Sequence, residues 1–564
     1  MAGEGTESIL AFDCGSAFSR AILVDKVDGE YRFVALGEAH TTPGNFTTGL
    51  AEAVRDLEEK TGRAILLGQQ VIMPEALDGS GVDSTVLAWS AGKPLRLIST
   101  GISAGQLGAD TAKVAAGTVA EVVASFCLQD IRRKDRRQQK QKEIRESRAD
   151  AILFLAGQSS GGLILREICD FLAGLELLGP NGTKLPLLLS GVPAAQAETN
   201  KALGAVLGLH GVEPVLSPAG VYSVEAATTH INELYLALST AGLKSPGSLI
   251  GDRWSATVAT PKSLAVAAQF IARQTRADVL VVDLDASLTT LVTASQDLGS
   301  TVVSTGYGMG QGISGVLAAA GSESITKWLP FSSDEESVVA VGLNKGLRPG
   351  TVPQLADELL IEEAFARAAI GYAARGVDIT HGLIIGTGGF LTHLPRPGRL
   401  ALLLLDAFQP AMVTSLAFDP QGLLPSLGAI AHAFPQAAGE VLVKDSLVRL
   451  GTVVPVHGSG KDGQVAARIR VIYAGGKETQ LDVAWGEIRT IPLGETQTAR
   501  LLIQPTGEFH IGDGRKGRSV ELGVTGGIVG VIIDARGRPL QLPVDERQRI
   551  DKISGWYSAM SNTV

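Results

Sequence analysis

Two aspartates in matching surroundings are the residues of this sequence best placed for chemistry. Over residues 9–25 an apolar run delivers Asp13 into the small-residue turn Cys14-Gly15-Ser16-Ala17 and leaves through Ser19 and Arg20. Over residues 279–293 a second apolar run delivers Asp283 into Leu284-Asp285-Ala286-Ser287 and leaves through Thr289 and Thr290. Laid on each other, Asp13 meets Asp283, Gly15 meets Asp285 and Ser19 meets Thr289. Turns of this kind present backbone N–H groups and hydroxyls to an anion, while the carboxylate can hold a hydrated Mg²⁺. The pattern assigns Asp13, Gly15, Ser16, Ser19 and Arg20 to phosphate contact in one half, and Asp283, Asp285, Ser287 and Thr289 in the other. Mg²⁺ would be held through water by Asp13 and Asp283. The competing reading of each aspartate is a capped hairpin turn with no ligand.

A third element belongs with these two. Residues 382–387 read as a buried strand running into Gly386-Thr387-Gly388-Gly389, followed by Phe390-Leu391-Thr392-His393. Glycines let a backbone approach a flat ring or a phosphate closely, so Gly386, Thr387, Gly388 and Gly389 are assigned to the adenosine end of a nucleotide. One turn per half implies a duplicated fold with ATP between two lobes. The order and spacing of the three elements resemble the actin-like ATPase superfamily of actin, Hsp70 and sugar kinases.

The elements that must position these residues follow from hydrophobic periodicity. Residues 8–38 read as three consecutive strands, with an Asp28-Gly29 hairpin between the second and third. Residues 46–60 carry Leu50, Val54 and Leu57 at helical spacing. Strands are expected at 85–88, 95–100, 151–155, 186–190 and 214–216, with helices at 110–127 and 223–239. Such alternation means a parallel or mixed sheet covered by helices. The glycine-rich stretch 306–315 offers a second phosphate cradle at a helix start. An acidic helix start falls at 332–336, and a helix at 355–374. From residue 440 onward the texture changes to short β-type runs at 440–456, 466–474, 479–485, 499–505 and 528–534, then an amphipathic helix at 543–560. The resulting expectation is an α/β, duplicated actin-like (ribonuclease H-like) fold: lobe I at 1–245, lobe II at 246–439, a β-sandwich or barrel module at 440–545 and a terminal helix at 546–564.

At 564 residues the chain exceeds a single core, and its net charge of −9 argues against general nucleic-acid binding. The three cysteines, Cys14, Cys127 and Cys169, have no Cys-x-x-Cys spacing, which fits a reducing cytoplasm and excludes a thiolate zinc site. The first seven residues lack a basic-then-apolar signal, and no apolar stretch is long enough to enter a membrane. The strongest charge run, 132–148, has nine cations against Asp135, Glu143 and Glu146. It reads as a solvated basic helix or as a docking surface for an acidic partner, and it lacks the interleaved aromatics of a nucleic-acid site.

With the loops placed, the resemblance narrows to the glutamate mutase accessory family, called GlmL or MutL. It is carried by Asp13-Cys14-Gly15-Ser16, the basic run 132–148, Leu155-Ala156-Gly157-Gln158-Ser159-Ser160-Gly161-Gly162 and Lys327-Trp328-Leu329-Pro330. Asn344-Lys345, Gly386-Thr387-Gly388-Gly389, Asp419-Pro420, Leu423-Leu424-Pro425-Ser426-Leu427-Gly428 and Ile532-Ile533-Asp534-Ala535-Arg536-Gly537-Arg538-Pro539 also carry it. The resemblance implies an accessory, chaperone-like protein that uses ATP and Mg²⁺ to reactivate or assemble an adenosylcobalamin-dependent mutase. Mutase activity itself is not expected, since no Asp-x-His-x-x-Gly cobalamin motif occurs.

Two departures bear on that implication. The second turn of the family resembles Asp-x-Gly-Gly-Ala-Thr-Thr, whereas this chain places Asp285 at the first glycine, bringing negative charge toward phosphate. Gln158-Ser159-Ser160 replaces a Gly-Thr-Asp, losing an acid. ATPase activity is therefore expected to be weak at most, and a non-hydrolysing actin-like scaffold that self-assembles is the alternative. A small-molecule kinase ranks below both, because no general-base carboxylate follows a recognisable substrate loop.

Overall fold

The computed structural model describes residues 6–157, 162–179, 182–212, 224–244, 249–251, 253–378 and 380–561. The chain divides into two compact units, 1–89 with 245–564, and 90–244.

The larger unit contains one five-strand path twice. In the first sheet Ser8–Cys14 is central, pairing antiparallel with Phe18–Val27, which pairs antiparallel with Glu30–His40. On its other side Ser84–Trp89 and then Ala256–Ala259 run parallel. In the second sheet Val279–Leu284 is central, flanked by antiparallel Leu288–Ala294 and Gly299–Thr305, and by parallel Leu383–Thr387 and Thr414–Phe418. The registers agree as well: Asp13 pairs with Arg20 and Asp283 with Thr290. Both central strands are buried along their whole length, so both faces of each sheet are covered.

Two helices fill the space between the sheets. Thr260–Thr275 and Leu424–Ala433 contribute Leu264, Ala267, Leu427 and Ile430 to a core that also holds Ile9, Ile22, Val281 and Ile385. They approach so closely that a Cβ on Gly428 would collide with the Ser263 carbonyl. The strand Ala256–Ala259 completes the first sheet although it lies beyond residue 245, because the repeat is interrupted by residues 90–244.

The C-terminal all-β module grows out of the second sheet. Val448–His457 pairs antiparallel with Thr414–Phe418, then Gly530–Asp534 and Ile488–Ile491 extend the same sheet. A four-stranded sheet of Glu478–Ala484, Val465–Tyr473, Thr498–Pro505 and Val520–Thr525 packs over this extension through Val454, Val456, Ile469, Leu501 and Ile533. A buried ion network fastens the join: Arg536 contacts Asp406 at 2.7 Å and Asp534 at 2.9 Å, and Arg367 contacts Asp406 at 2.7 Å. The terminal helix Glu546–Ser561 closes over it, with the Tyr557 hydroxyl donating to Glu363 at 2.9 Å.

The smaller unit is a five-stranded parallel sheet. Its order is Gly208–Val212, Pro186–Gly191, Ala151–Gly157, Leu95–Gly101, Ala120–Cys127, the arrangement of a doubly wound α/β sheet. The basic run forms two helices, Leu128–Arg132 and Lys134–Glu146; only Ile144 of the longer one is buried.

Two elements differ from expectation. The helix expected at 110–127 ends at Ala116, and Ala120–Cys127 is a strand; Gly117 and Thr118 stop the helix, and Val122-Val123 suit a strand. Residues 435–444 form the helix Pro435–Lys444 and not the start of a β run, because Pro435 opens a helix readily at its first turn. The strand expected at 214–216 lies outside the described residues.

Candidate functional site

Each central strand of the repeat ends in a turn closed the same way. Gly15 N–H donates to the Phe18 carbonyl at 2.9 Å, and Asp285 N–H donates to the Leu288 carbonyl at 3.1 Å. The turns face each other across a cleft of about 530 Å³. Asp13, Gly15, Ser16, Phe18 and Arg20 line one side, and Asp285, Ala286 and Gly389 line the other. Glu38, His40, Lys345, residues 349–353, Glu362, Phe390 and His393 also contribute to the wall.

Carboxyl groups crowd the base of the cleft. Asp13 lines it and is 8 % exposed, whereas Asp283, contrary to its assignment, is 1 % exposed and lies behind the lining, neither of its oxygens having a hydrogen-bond partner. Burial pushes the Asp13 carboxyl up to about 7; Arg20 opposes the rise, and Asp285, Asp419 and Glu38 add to it. Asp283 is pushed well above the usual carboxylate range, first by burial and then by Asp285 and Asp13. Asp285 is also raised by burial, although the Gly389 N–H, 3.1 Å from its Oδ1, holds it down in part. Arg20 is the guanidinium among them, its Nε donating to Glu38 at 2.7 Å and its Nη1 3.8 Å from Asp13. Burial alone would depress it, but Glu38 and Asp13 hold it firmly protonated.

Strand alternation turns several assigned hydroxyls away from the cleft. Ser19 is fully buried and pairs with Thr41 Oγ1 at 2.9 Å, while Thr41 Oγ1 donates to the Gly15 carbonyl at 2.8 Å. Thr289 is equally buried and donates to the Tyr307 carbonyl at 2.6 Å. Thr387 donates to Asp419 Oδ2 at 3.0 Å, and Asp419 in turn accepts the N–H groups of Leu423 and Leu424. These groups brace the turns. Ser287 stands outside the lining, and Gly386 packs among Leu391, Leu400 and Leu404. Gly388 adopts φ +95° against the Asp283 carboxylate, where any Cβ would collide with it.

The glycine-rich segment has a different task from the expected phosphate cradle. Met309 N–H donates to the Asp285 carbonyl at 2.8 Å, and the Gly310 and Gly312 N–H groups donate to Ala286 at 2.8 and 3.0 Å. A Cβ on Gly308 would stand 2.7 Å from the Ala286 carbonyl. The glycines thus let this segment press onto the second turn and satisfy its carbonyls. The departure at Gln158-Ser159-Ser160 lies outside the described residues.

Sequence reasoning missed most of the far wall. Lys345 is buried, with its Nζ 3.2 Å from Glu362 and donating to the Thr351 carbonyl at 2.6 Å. Asn344-Lys345 was part of the family pattern, which was the available signal. Glu38 and His40 gave none, since they sit at the end of a strand that reads as ordinary. Among the described residues no group of three or more His, Cys, Asp or Glu is arranged to hold a metal ion directly, and no helix is long and apolar enough to cross a membrane.

Two sheets of identical path, each ending in an aspartate-bearing turn on one cleft, define a duplicated actin-like fold of two lobes. The chain belongs to the MutL protein family, whose model matches residues 9–446. No curated protein sequence matches it. Among solved structures, a nucleotide-free acetone carboxylase is 11 % identical over 94 % of this chain and 96 % of its own, with a TM-score of 0.32. Component A of the Acidaminococcus fermentans (R)-2-hydroxyglutaryl-CoA dehydratase is 10 % identical over 77 % of this chain and 100 % of its own, at 0.27. A glycerol dehydratase reactivase is 11 % identical over 75 % and 99 %, at 0.29.

Proposed function

We propose that the cleft between the two turns binds ATP or ADP with Mg²⁺. The chain then serves as an accessory protein that reactivates or assembles an adenosylcobalamin-dependent mutase. The observation that carries the binding is the repeated turn itself, presenting Asp13, Gly15 and Ser16 opposite Asp285 and Gly389. Membership of the MutL family supports the accessory role.

The lining fits a hydrated cation at Asp13, whose carboxyl faces the cleft and can accept from a cation's water shell. Asp283 lies behind the lining with two buried, unpartnered oxygens and would reach the cation only if the turn shifts. The cation would offset phosphate charge that the cleft's own carboxylates repel. Gly15, Ser16 and Arg20 then face the phosphates, and of residues 386–389 Gly389 alone lines the cleft and is the one set against the nucleotide, the other three holding it in place. Ser19, Thr289 and Thr387 hold the turns in shape, and Ser287 lends its carbonyl to the Gly306 N–H.

Hydrolysis is weak at most in this reading, and the mutase chemistry belongs to the partner. The exposed basic helix Lys134–Glu146 offers an acidic partner a surface, and the place of action is the cytoplasm. The non-hydrolysing, self-assembling scaffold remains the second reading, favoured by Asp285 alone.

Calorimetric titration with Mg·ATP and Mg·ADP tests the binding, and Asp13→Ala is expected to abolish it; unchanged affinity in that variant removes Asp13 from the site. Recovery of an inactivated mutase holoenzyme on adding this protein and ATP tests the accessory role. Concentration-dependent assembly without nucleotide, and no recovery, would replace it with the scaffold.

A further inference from the structure

The repeat supplies its own control for what Asp285 does. The first turn carries Gly15 at the position where the second carries Asp285, in the same register and with the same closing hydrogen bond. The carboxylate at the second turn is not directed to solvent. It lines the cleft and takes the Gly389 N–H at 3.1 Å, a backbone donor at the edge of the same cavity. An anion approaching the second turn therefore meets a fixed carboxylate already seated on a donor it would use.

The two permanent cations of the wall offset this only in part. Arg20 attracts Asp285 but is shared with Glu38 and Asp13, and Lys345 is engaged with Glu362 and the Thr351 carbonyl. The Met309, Gly310 and Gly312 N–H groups are spent on the turn's own carbonyls and are not free for phosphate. Each phosphate added to a nucleotide brings further negative charge toward this end of the cleft, and a like charge in partly screened surroundings opposes it strongly.

Resting on the nucleotide-binding reading above, we infer that Asp285 makes the cleft a nucleoside diphosphate seat that turns away the third phosphate. Asp285 is then the specificity-determining residue of the second turn, and the chain holds ADP in preference to ATP.

The test is calorimetric titration of the full-length protein with Mg·ADP and Mg·ATP, in the wild type, Asp285→Gly and Asp285→Asn. The wild type is expected to bind ADP on the order of tenfold or more tighter than ATP. Asp285→Gly, which copies the first turn, should bring the ratio to about one or reverse it. Asp285→Asn keeps an acceptor for the Gly389 N–H without the charge, so it should narrow the ratio and show that charge, and not shape, discriminates. It also keeps the test alive if the glycine variant folds poorly. Equal or tighter binding of ATP by the wild type overturns the inference. So does a ratio that neither variant changes, with nucleotide binding itself intact. Wild type binding neither nucleotide while the variants bind both would show that Asp285 excludes phosphate altogether, which also overturns the diphosphate preference. No binding by any of the three would instead remove the nucleotide reading on which the inference stands.

Discussion

Replacing Asp13 by asparagine should strengthen the ligand-free fold while removing the carboxylate on which the proposed site depends. The reasoning is one of proton linkage. The carboxyl rises from 3.8 to about 7 in the native protein, chiefly because burial penalises its charged form. A native state that holds its proton more tightly than the unfolded chain is favoured by acid and disfavoured as pH rises from the unfolded value to the folded one. Below about pH 3.8 both states are protonated and there is no penalty. Each pH unit above that costs roughly 1.4 kcal/mol until the native group also ionises. The penalty is therefore about 2 kcal/mol at pH 5 and about 4 kcal/mol at pH 8. Asparagine has nearly the same volume and no charge, so Asp13→Asn should recover most of it. Urea unfolding at pH 3.5, 5 and 8 reads this directly: the variant's midpoint should exceed the wild type's at pH 8, less so at pH 5, and coincide at pH 3.5. A variant less stable at pH 8, or a gap that is the same at every pH, would refute the linkage argument.

Other expectations concern the rest of the molecule. Arg536→Met should destabilise by up to about 3–5 kcal/mol, since it takes one of two buried arginine partners from each of Asp406, which keeps Arg367, and Asp534, which keeps Arg538; denaturant unfolding measures it, and a neutral outcome would refute a structural role for these pairs. Gly428→Ala should cost about 1–3 kcal/mol by forcing apart Thr260–Thr275 and Leu424–Ala433, read as a lowered Tm. All three thiols should resist Ellman's reagent in the native protein and react after denaturation. Burial pushes Cys14 up to about 12 and Cys169 up to about 11, and raises Cys127 as well; rapid labelling of one thiol would contradict that.

The duplicated turns were legible in the sequence because each is local: an apolar strand, an aspartate, small residues and a second strand within seventeen positions or fewer. Their pairing across a cleft was legible only through repetition. Side-chain direction was harder. Ser19 and Thr289 are the right residue type for phosphate, yet strand period two points their hydroxyls to the far face, where Thr41 and the Tyr307 carbonyl receive them, and Thr387, opposite Asp283 in the ladder, is spent on Asp419. The stretch 306–312 has the composition of a phosphate loop, but its glycines answer a packing demand from Ala286 that only tertiary structure reveals. Lys345 and Glu362 approach the cleft from separate helices, so no local pattern announces their meeting. The strand Ala120–Cys127 escaped because its alternation is blurred, with Val122-Val123 half-buried on either face of a covered sheet.

The strand Val448–His457 belongs to two ladders at once, closing the second sheet through Thr414–Phe418 and founding the β module through Gly530–Asp534. A module tethered by a linker wanders and loses the bearing of its host. One built on a common strand inherits that bearing, register by register, with no joint to dissipate it. The outer sheet of the module is thus held at a fixed bearing to the second sheet, as a hand is to its dial.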